Sequence, residues 1–185
     1  MKHGYDAAHA DRNVLDGRVM NLDTTSQVAH YDVNMASYLA LGRWFDYLRE
    51  MGVYDNTRII IVADHGRDIG QFDDMVYFDG SLDTMWINPV LMVKDFGASG
   101  FTTDTTFMTN ADVPTIATTG VIANPVNPFT GNPINSEPKN DEQQIIISEE
   151  FEPSINNGNQ YMPGEWYTVH DDIFDENNWQ YLGNW

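Results

Sequence analysis

Cysteine is absent from the chain, which excludes a disulfide scaffold, a cysteine-ligated zinc site and a cysteine nucleophile. Positive charge is scarce. Nine Lys and Arg stand against 28 Asp and Glu, a formal charge of −19. Nucleic acids and anionic membrane surfaces are repelled by such a balance, because the phosphate term dominates their binding, so DNA and RNA are excluded as partners. No stretch approaches the roughly 18 consecutive apolar residues of a membrane span, and Met1-Lys2-His3-Gly4-Tyr5-Asp6 lacks the apolar core of a signal peptide. The expectation is a soluble chain with no signal or transmembrane segment of its own. Repeats and low-complexity tracts are lacking too.

What remains is globular in composition: 185 residues, 42% hydrophobic and 12% aromatic, enough for one α/β domain or a large piece of one. Residues 1–25 are polar and read as an irregular segment with a short strand near Arg18 to Leu22. Tyr31, Met35, Tyr38, Leu41, Phe45 and Leu48 recur at three- and four-residue steps, the pattern of one buried helical face. Ser26 is expected as its N-cap and Gly52 as the left-handed residue that ends it. Gly42, which costs about 1 kcal/mol of helix propensity, is expected to mark close backbone packing against a sheet.

Ile59-Ile60-Ile61-Val62 is too apolar for a strand with one wet face and is read as central and parallel. Ile87 to Val93 is a second strand-like run with proline at its start, and Gly66 to Thr84 between them is a Gly- and Asp-rich loop. Asn110 or Asp112 can cap a short helix through Val113 to Ala117, ended by Gly120. Proline-rich residues 123–142 are irregular, Gln144 to Ser148 is a strand, and the aromatic tail (Trp166, Tyr167, Trp179, Tyr181 and Trp185) packs as a terminal strand and short helix.

The strand Arg58 to Val62 runs into Ala63-Asp64-His65-Gly66. In open α/β sheets ligands bind beyond the carboxyl ends of the strands. A carboxylate beside an imidazole there is a mixed donor set that suits Zn²⁺ or Mn²⁺ better than Mg²⁺ or Ca²⁺. Asp64 and His65 are therefore the candidate metal ligands. Taken alone, the pair equally fits a hydrogen-bonded Asp-His at a strand end.

The surrounding words add to this. Phe45 through Gly66, with Tyr54-Asp55-Asn56-Thr57 leading into the strand that ends Asp64-His65-Gly66, resembles the sulfatase and lipoteichoic acid synthase group of the alkaline phosphatase superfamily. Asn88-Pro89-Val90-Leu91-Met92-Val93-Lys94 looks like a further strand of that group, and Thr109-Asn110-Ala111-Asp112-Val113-Pro114-Thr115 like one of its helices. The resemblance spans residues 31–120. It implies an α/β fold, the C-terminal part of an alkaline-phosphatase-like domain with a mostly parallel central sheet flanked by helices, over residues 26–185.

It further implies that Asp64 and His65 bind a divalent metal, Mn or Zn favoured, with Mg or Ca possible. The implied reaction is transfer or hydrolysis of a phosphate or sulfate ester, lipid- or glycan-linked, through a covalent enzyme intermediate; phosphoglycerol transfer is favoured, with a sulfatase as the alternative. In that group another acidic ligand and the nucleophile lie ahead of the helix. This sequence has no such segment, so the upstream half of the same domain is expected to supply them, and the chain alone is expected to be inactive. The parent is expected to be extracytoplasmic and membrane-anchored, and the isolated chain to self-associate through uncovered apolar surface. Ser136-Glu137-Pro138-Lys139 is a decoy for a sulfatase nucleophile motif: it comes after the Asp-His pair and ends in Lys.

His30 and Arg67 are candidate substrate contacts, although a helix-start histidine is more often a surface or capping residue and Arg67 can pair with Asp68 or Asp73. His3, His9 and His170 read as solvated, and Asp73-Asp74 as a solvated acidic loop. A non-catalytic surface or glycan-binding module, using the aromatic tail, is the reading outside the enzyme class.

Overall fold

The computed structural model describes residues 14–15, 18–20, 22–136, 141–148, 154 and 163–184. His3, His9, Glu137, Pro138, Lys139, Trp185 and most of the segment read as irregular at the N-terminus lie outside them. The chain forms two compact units, Met1–Phe101 and Thr102–Trp185.

In the first unit β1 (Val14–Leu15) pairs antiparallel with β2 (Arg18–Val19), and a long helix α1 comes next at Thr25–Glu50. The N-cap is Thr24, two residues ahead of the expected Ser26. Its hydroxyl accepts from the Gln27 backbone N–H at 3.1 Å, while Gln27 Oε1 accepts from the Thr24 N–H at 3.1 Å. This reciprocal box satisfies two donors that the first turn would leave orphaned. At the other end Gly52 takes φ +70°, as expected. Its N–H bonds the Arg49 carbonyl and the Val53 N–H bonds the Leu48 carbonyl, both at 3.0 Å, the paired bonds of a Schellman stop.

Tyr31, Met35, Leu41, Phe45 and Leu48 are half-buried and Tyr38 is exposed; only Gln27 on this helix is buried. The periodic stripe is real, but this unit does not cover it fully. Gly42 marks no close approach, since a Cβ there would meet nothing within 4 Å.

The turn after α1 is tied to the strand segment beyond it. Lys94 donates to the Tyr54 and Thr57 carbonyls, the latter at 3.0 Å, and the Gly97 N–H bonds the Asp55 carbonyl at 2.8 Å. Lys94 and Arg49 both lie against the Tyr54 ring, 4.2 and 4.1 Å from its centroid. Arg58 grips Asp95 with two bonds of 3.0 and 3.1 Å.

Strand β3 (Ile59–Val62) pairs with one partner, β6 (Leu91–Lys94), from Ile59 opposite Lys94 to Val62 opposite Leu91. Between them lie 3-10 turns and a tight hairpin of β4 (Val76–Tyr77) and β5 (Leu82–Asp83). Tyr77, Leu82 and Thr84 are buried there, with Thr84 Oγ1 donating to the Met75 carbonyl at 2.8 Å.

In the second unit, α2 (Val113–Thr118) carries proline in its first turn. The buried Asp112 carboxylate accepts from the Thr109 N–H at 2.7 Å just ahead of it, and Gly120 beyond its end takes φ +72°. An irregular stretch leads to β7 (Gln143–Ser148), β8 (Gly164–Val169) and β9 (Trp179–Asn184), an antiparallel sheet in the order β7-β8-β9. Tyr167, Val169 and Trp179 form its core. The Trp179 indole donates to the Ile173 carbonyl at 3.0 Å. Burial, helped by the hydrogen bond to Glu165, pushes the Tyr167 hydroxyl above the ordinary phenol range and keeps it a donor. Tyr167 and Trp179 are thus spent on packing, while Tyr181 and Phe174 are exposed.

The expected alkaline-phosphatase-like core, a mostly parallel central sheet flanked by helices, is not what forms. Every strand pair among the described residues is antiparallel and the sheets have two or three strands. A parallel partner for β3 would need a crossover, usually helical, that returns the chain to the start of the sheet. Residues 66–84 instead fold into turns and a hairpin and deliver β6 from the opposite end. The apolar run 59–62 carried no information on direction, because side-chain burial is blind to the polarity of the neighbouring strand.

Two features have measurable effects on stability. Thr24→Ala should lower the urea midpoint of the α1 circular dichroism transition by the equivalent of about 1 kcal/mol. The Phe96 N–H, first, and the Arg58 guanidinium hold the Asp95 carboxyl below its ordinary 3.8. A depressed carboxyl stabilises the fold above its unfolded value, and that contribution disappears as pH falls through the folded one. Asp95→Asn should therefore flatten the acid limb of the stability profile below pH 3.8, and an unchanged limb would count against this pairing.

Candidate metal centre

The β3–β6 ladder does not stop where the regular strands do. The Ala63 N–H bonds the Val90 carbonyl at 3.0 Å, and after a gap the Gly66 N–H bonds the Trp86 carbonyl at 2.8 Å. Asp64 and His65 occupy that gap between the two cross-strand bonds, across from Ile87, Asn88 and Pro89. The second bond requires glycine: a Cβ on Gly66 would lie 1.8 Å from the Met85 carbonyl oxygen. Without a side chain, Gly66 admits the neighbouring backbone.

Both candidate ligands face solvent, with 89% of the Asp64 and 59% of the His65 side chain accessible. Asp64 Oδ1 accepts from the His65 N–H at 3.0 Å. His65 Nδ1 lies 2.7 Å from the Gly66 carbonyl oxygen. A carbonyl only accepts, so Nδ1 carries the hydrogen, and in the neutral ring Nε2 carries the lone pair. Nε2 is 3.8 Å from Asp64 Oδ2. Two metal bonds of about 2.1 Å span at most about 4.2 Å, so one cation can reach both atoms. The Nδ1 bond to a backbone carbonyl is also the kind of support that orients a ligating imidazole.

Around the pair, the His65 ring sits 5.5 Å from the Trp86 ring, and the Arg67 guanidinium lies over the same indole at 5.2 Å. Arg67 Nε is 3.6 Å from Asp68, one of its two expected partners. Burial pushes the Asp83 carboxyl up; the Met85 N–H opposes this at 2.9 Å, and nearby Asp68 adds to the rise. Gln27 donates from α1 to the Ile69 carbonyl at 2.8 Å, tying the loop beyond the pair to the helix start.

The structure thus brings Asp64, His65 and Arg67 onto one stretch of loop backed by Trp86. His30 lies on α1 with Nδ1 2.8 Å from the Ser26 carbonyl of its own helix, in line with a structural role at the helix start. Asp73 and Asp74 are exposed, and His170 pairs with Asp171 at 2.7 Å. Among the described residues no group of three or more His, Asp or Glu side chains is placed to hold a metal ion. Trp86, against His65 and Arg67, and the Gln27 bond to Ile69 act across the chain, where no local spacing encodes them; the Thr24–Gln27 box and the Asp83 cap on Met85 are local signals. No helix among the described residues is long and apolar enough to cross a membrane.

No protein-family model, curated protein or solved structure matches the chain.

Gly66→Ala should cost about 1–3 kcal/mol, the usual range for forcing atoms into filled space. It should also move the Trp86 indole resonance in proton NMR spectra. A variant with native stability and an unmoved indole would show that the two backbones are not in contact.

Proposed function

We propose that Asp64 and His65 are two ligands of a divalent-cation site that serves transfer or hydrolysis of a phosphate or sulfate ester. The observation that carries this is the Nδ1 bond to the Gly66 carbonyl, which turns Nε2 out beside the Asp64 carboxylate. Its support in the sequence is the likeness of residues 31–120 to the sulfatase and lipoteichoic acid synthase group. The proposed site needs the pair and its loop; it does not need a parallel sheet. Imidazole and carboxylate together favour Zn²⁺ or Mn²⁺ over Mg²⁺ or Ca²⁺.

A bound cation of this kind polarises an ester oxygen. The chain's own part is positional. Gly66 and the Trp86 carbonyl anchor the backbone just beyond the pair, Asp64 fixes the His65 backbone, and the Gly66 carbonyl fixes the imidazole tautomer. In this reading Arg67, two residues on, meets the anionic group of the ester. Two protein ligands hold a cation weakly, so the remaining ligands and the nucleophile come from outside the described residues. In that reading the parent enzyme is extracytoplasmic and membrane-anchored, and phosphoglycerol transfer is favoured over sulfate-ester hydrolysis.

Zn²⁺ titration of the chain, monitored by the imidazole resonances in proton NMR spectra, tests the site. With 28 carboxylates in the chain, diffuse cation uptake is certain, so the discriminating signal is specific to His65. Its ring resonances should shift first and saturate, and Asp64→Ala should weaken that response by at least about tenfold, the loss of one charged ligand. Ca²⁺, which prefers oxygen, should leave the His65 ring unmoved. A His65 response indifferent to the loss of Asp64 would end the proposal.

A further inference from the structure

The buried residue of α1, Gln27, is polar, and only 6% of it is exposed. Its carboxamide is saturated. Oε1 accepts from the Asp23 and Thr24 N–H groups at 3.0 and 3.1 Å, and Nε2 donates to the Ile69 carbonyl at 2.8 Å and the Gly70 carbonyl at 3.4 Å. Two lone pairs and two hydrogens are all that a primary amide offers. Backbone N–H groups only donate and carbonyls only accept, so one orientation of the amide fits both sides.

The two sides make different demands. A capping box takes Glu as readily as Gln at this position, because the helix start needs only an acceptor. The Ile69 and Gly70 carbonyls need a donor, which a carboxylate lacks. An amide at residue 27 therefore answers to the loop 42 residues away and not to the helix. Residues 66–70 of that loop form no helix or strand. Their near end is anchored by the Gly66 N–H on the Trp86 carbonyl at 2.8 Å, and their far end by Gln27. Arg67 sits between these two anchors, with its guanidinium over the Trp86 indole at 5.2 Å and 52% of its side chain accessible.

We propose that Gln27 is a positioning residue for the site: its amide holds the far end of the loop and thereby holds Arg67 where it meets an anionic ester group. This role rests on the function proposed above for Asp64, His65 and Arg67. A cationic side chain whose backbone is fixed on both sides gives up less freedom on binding an anion than one carried by a free loop. Gln27 itself touches neither the cation nor the ester; it acts through the Ile69 and Gly70 carbonyls, and it makes the start of α1 part of the site's framework.

Three variants of the full chain, followed by proton–nitrogen NMR without metal, separate this from a helix-capping role. Thr24→Ala removes a cap and keeps the amide. Gln27→Ala removes the amide and adds no charge. Gln27→Glu, studied at about pH 8 and so well above the ordinary glutamate range, keeps the acceptor for the helix start and removes the donor to the loop. Both Gln27 variants should move the Arg67 Nε–Hε and Trp86 indole resonances, and Thr24→Ala should leave them in place. Titration with inorganic phosphate at low ionic strength, read at the Arg67 Nε–Hε resonance, should show binding at least about tenfold weaker in both Gln27 variants and unchanged in Thr24→Ala. Circular dichroism reports whether α1 is kept; should Gln27→Ala lose it, Gln27→Glu carries the comparison. Resonances that Thr24→Ala moves as far as Gln27→Glu does would reduce Gln27 to a cap and overturn the proposal. So would equal phosphate affinity in the wild type and the Gln27 variants. A wild-type Arg67 resonance that phosphate leaves unmoved overturns the anion contact that the tether serves, and the phosphate-free shifts distinguish that failure from failure of the tether itself.

Discussion

Gly66 has no side chain, and the arrangement of the first unit around the Asp64–His65 pair depends on that. The Met85–Trp86 backbone passes where a Cβ would be, and the Gly66 N–H closes on the Trp86 carbonyl. This bond, with the one from Ala63 to Val90, extends the β3–β6 pairing past its regular end and brackets the two residues between them. The carboxylate and the imidazole between these bonds are both exposed. The same bond brings the Trp86 ring under His65 and Arg67, so one close approach sets the presentation of three side chains.

Elsewhere the first unit is held by side chains donating to carbonyls and packing on one ring. Lys94, at the end of β6, reaches the carbonyls of the turn after α1 and lies on Tyr54, which Arg49 also contacts. Few positive charges exist in this chain; Arg49 and Lys94 meet on the Tyr54 ring in the turn after α1, and Arg58 on Asp95 ties the start of β3 to the end of β6. Lys94 bonds neutral carbonyls, while Arg49 also pairs with Asp46 in its own helix and Arg58 with Asp95. The second unit uses a different economy: Tyr167 and Trp179 supply core volume to a three-stranded sheet, and charge plays little part between Val113 and Ser136.

Much of the local structure was legible in the residues. The left-handed stop at Gly52, the proline in the first turn of α2, the absence of a helix or strand element over the described residues 123–136 and the strand before Ser148 all stem from properties of single residues or short windows, and all are present. The box at Thr24 shows a limit: Ser26 is an equally good cap by type, and the choice fell to Thr24 because Gln27 sits three residues on and is also engaged by the Ile69 carbonyl. Gly42 shows another. Its propensity cost is local, but whether anything packs against it is not, and nothing does. The half-covered stripe on α1 belongs with it, since periodicity says which residues would share a face and is silent on what covers that face.

The candidate site divides in the same way. Residue order alone placed a carboxylate and an imidazole next to each other, just past an apolar strand and just before a glycine, and it made the donor set mixed and cysteine-free. Strand direction, the hydrogen bond that turns Nε2 toward Asp64, and the indole beneath His65 and Arg67 were decided only in three dimensions. Short-range rules act through the chain's own torsions and nearest neighbours. Whether residues 66–84 fold back to deliver an antiparallel partner depends on contacts between segments far apart in sequence, and those exist only once the chain has folded.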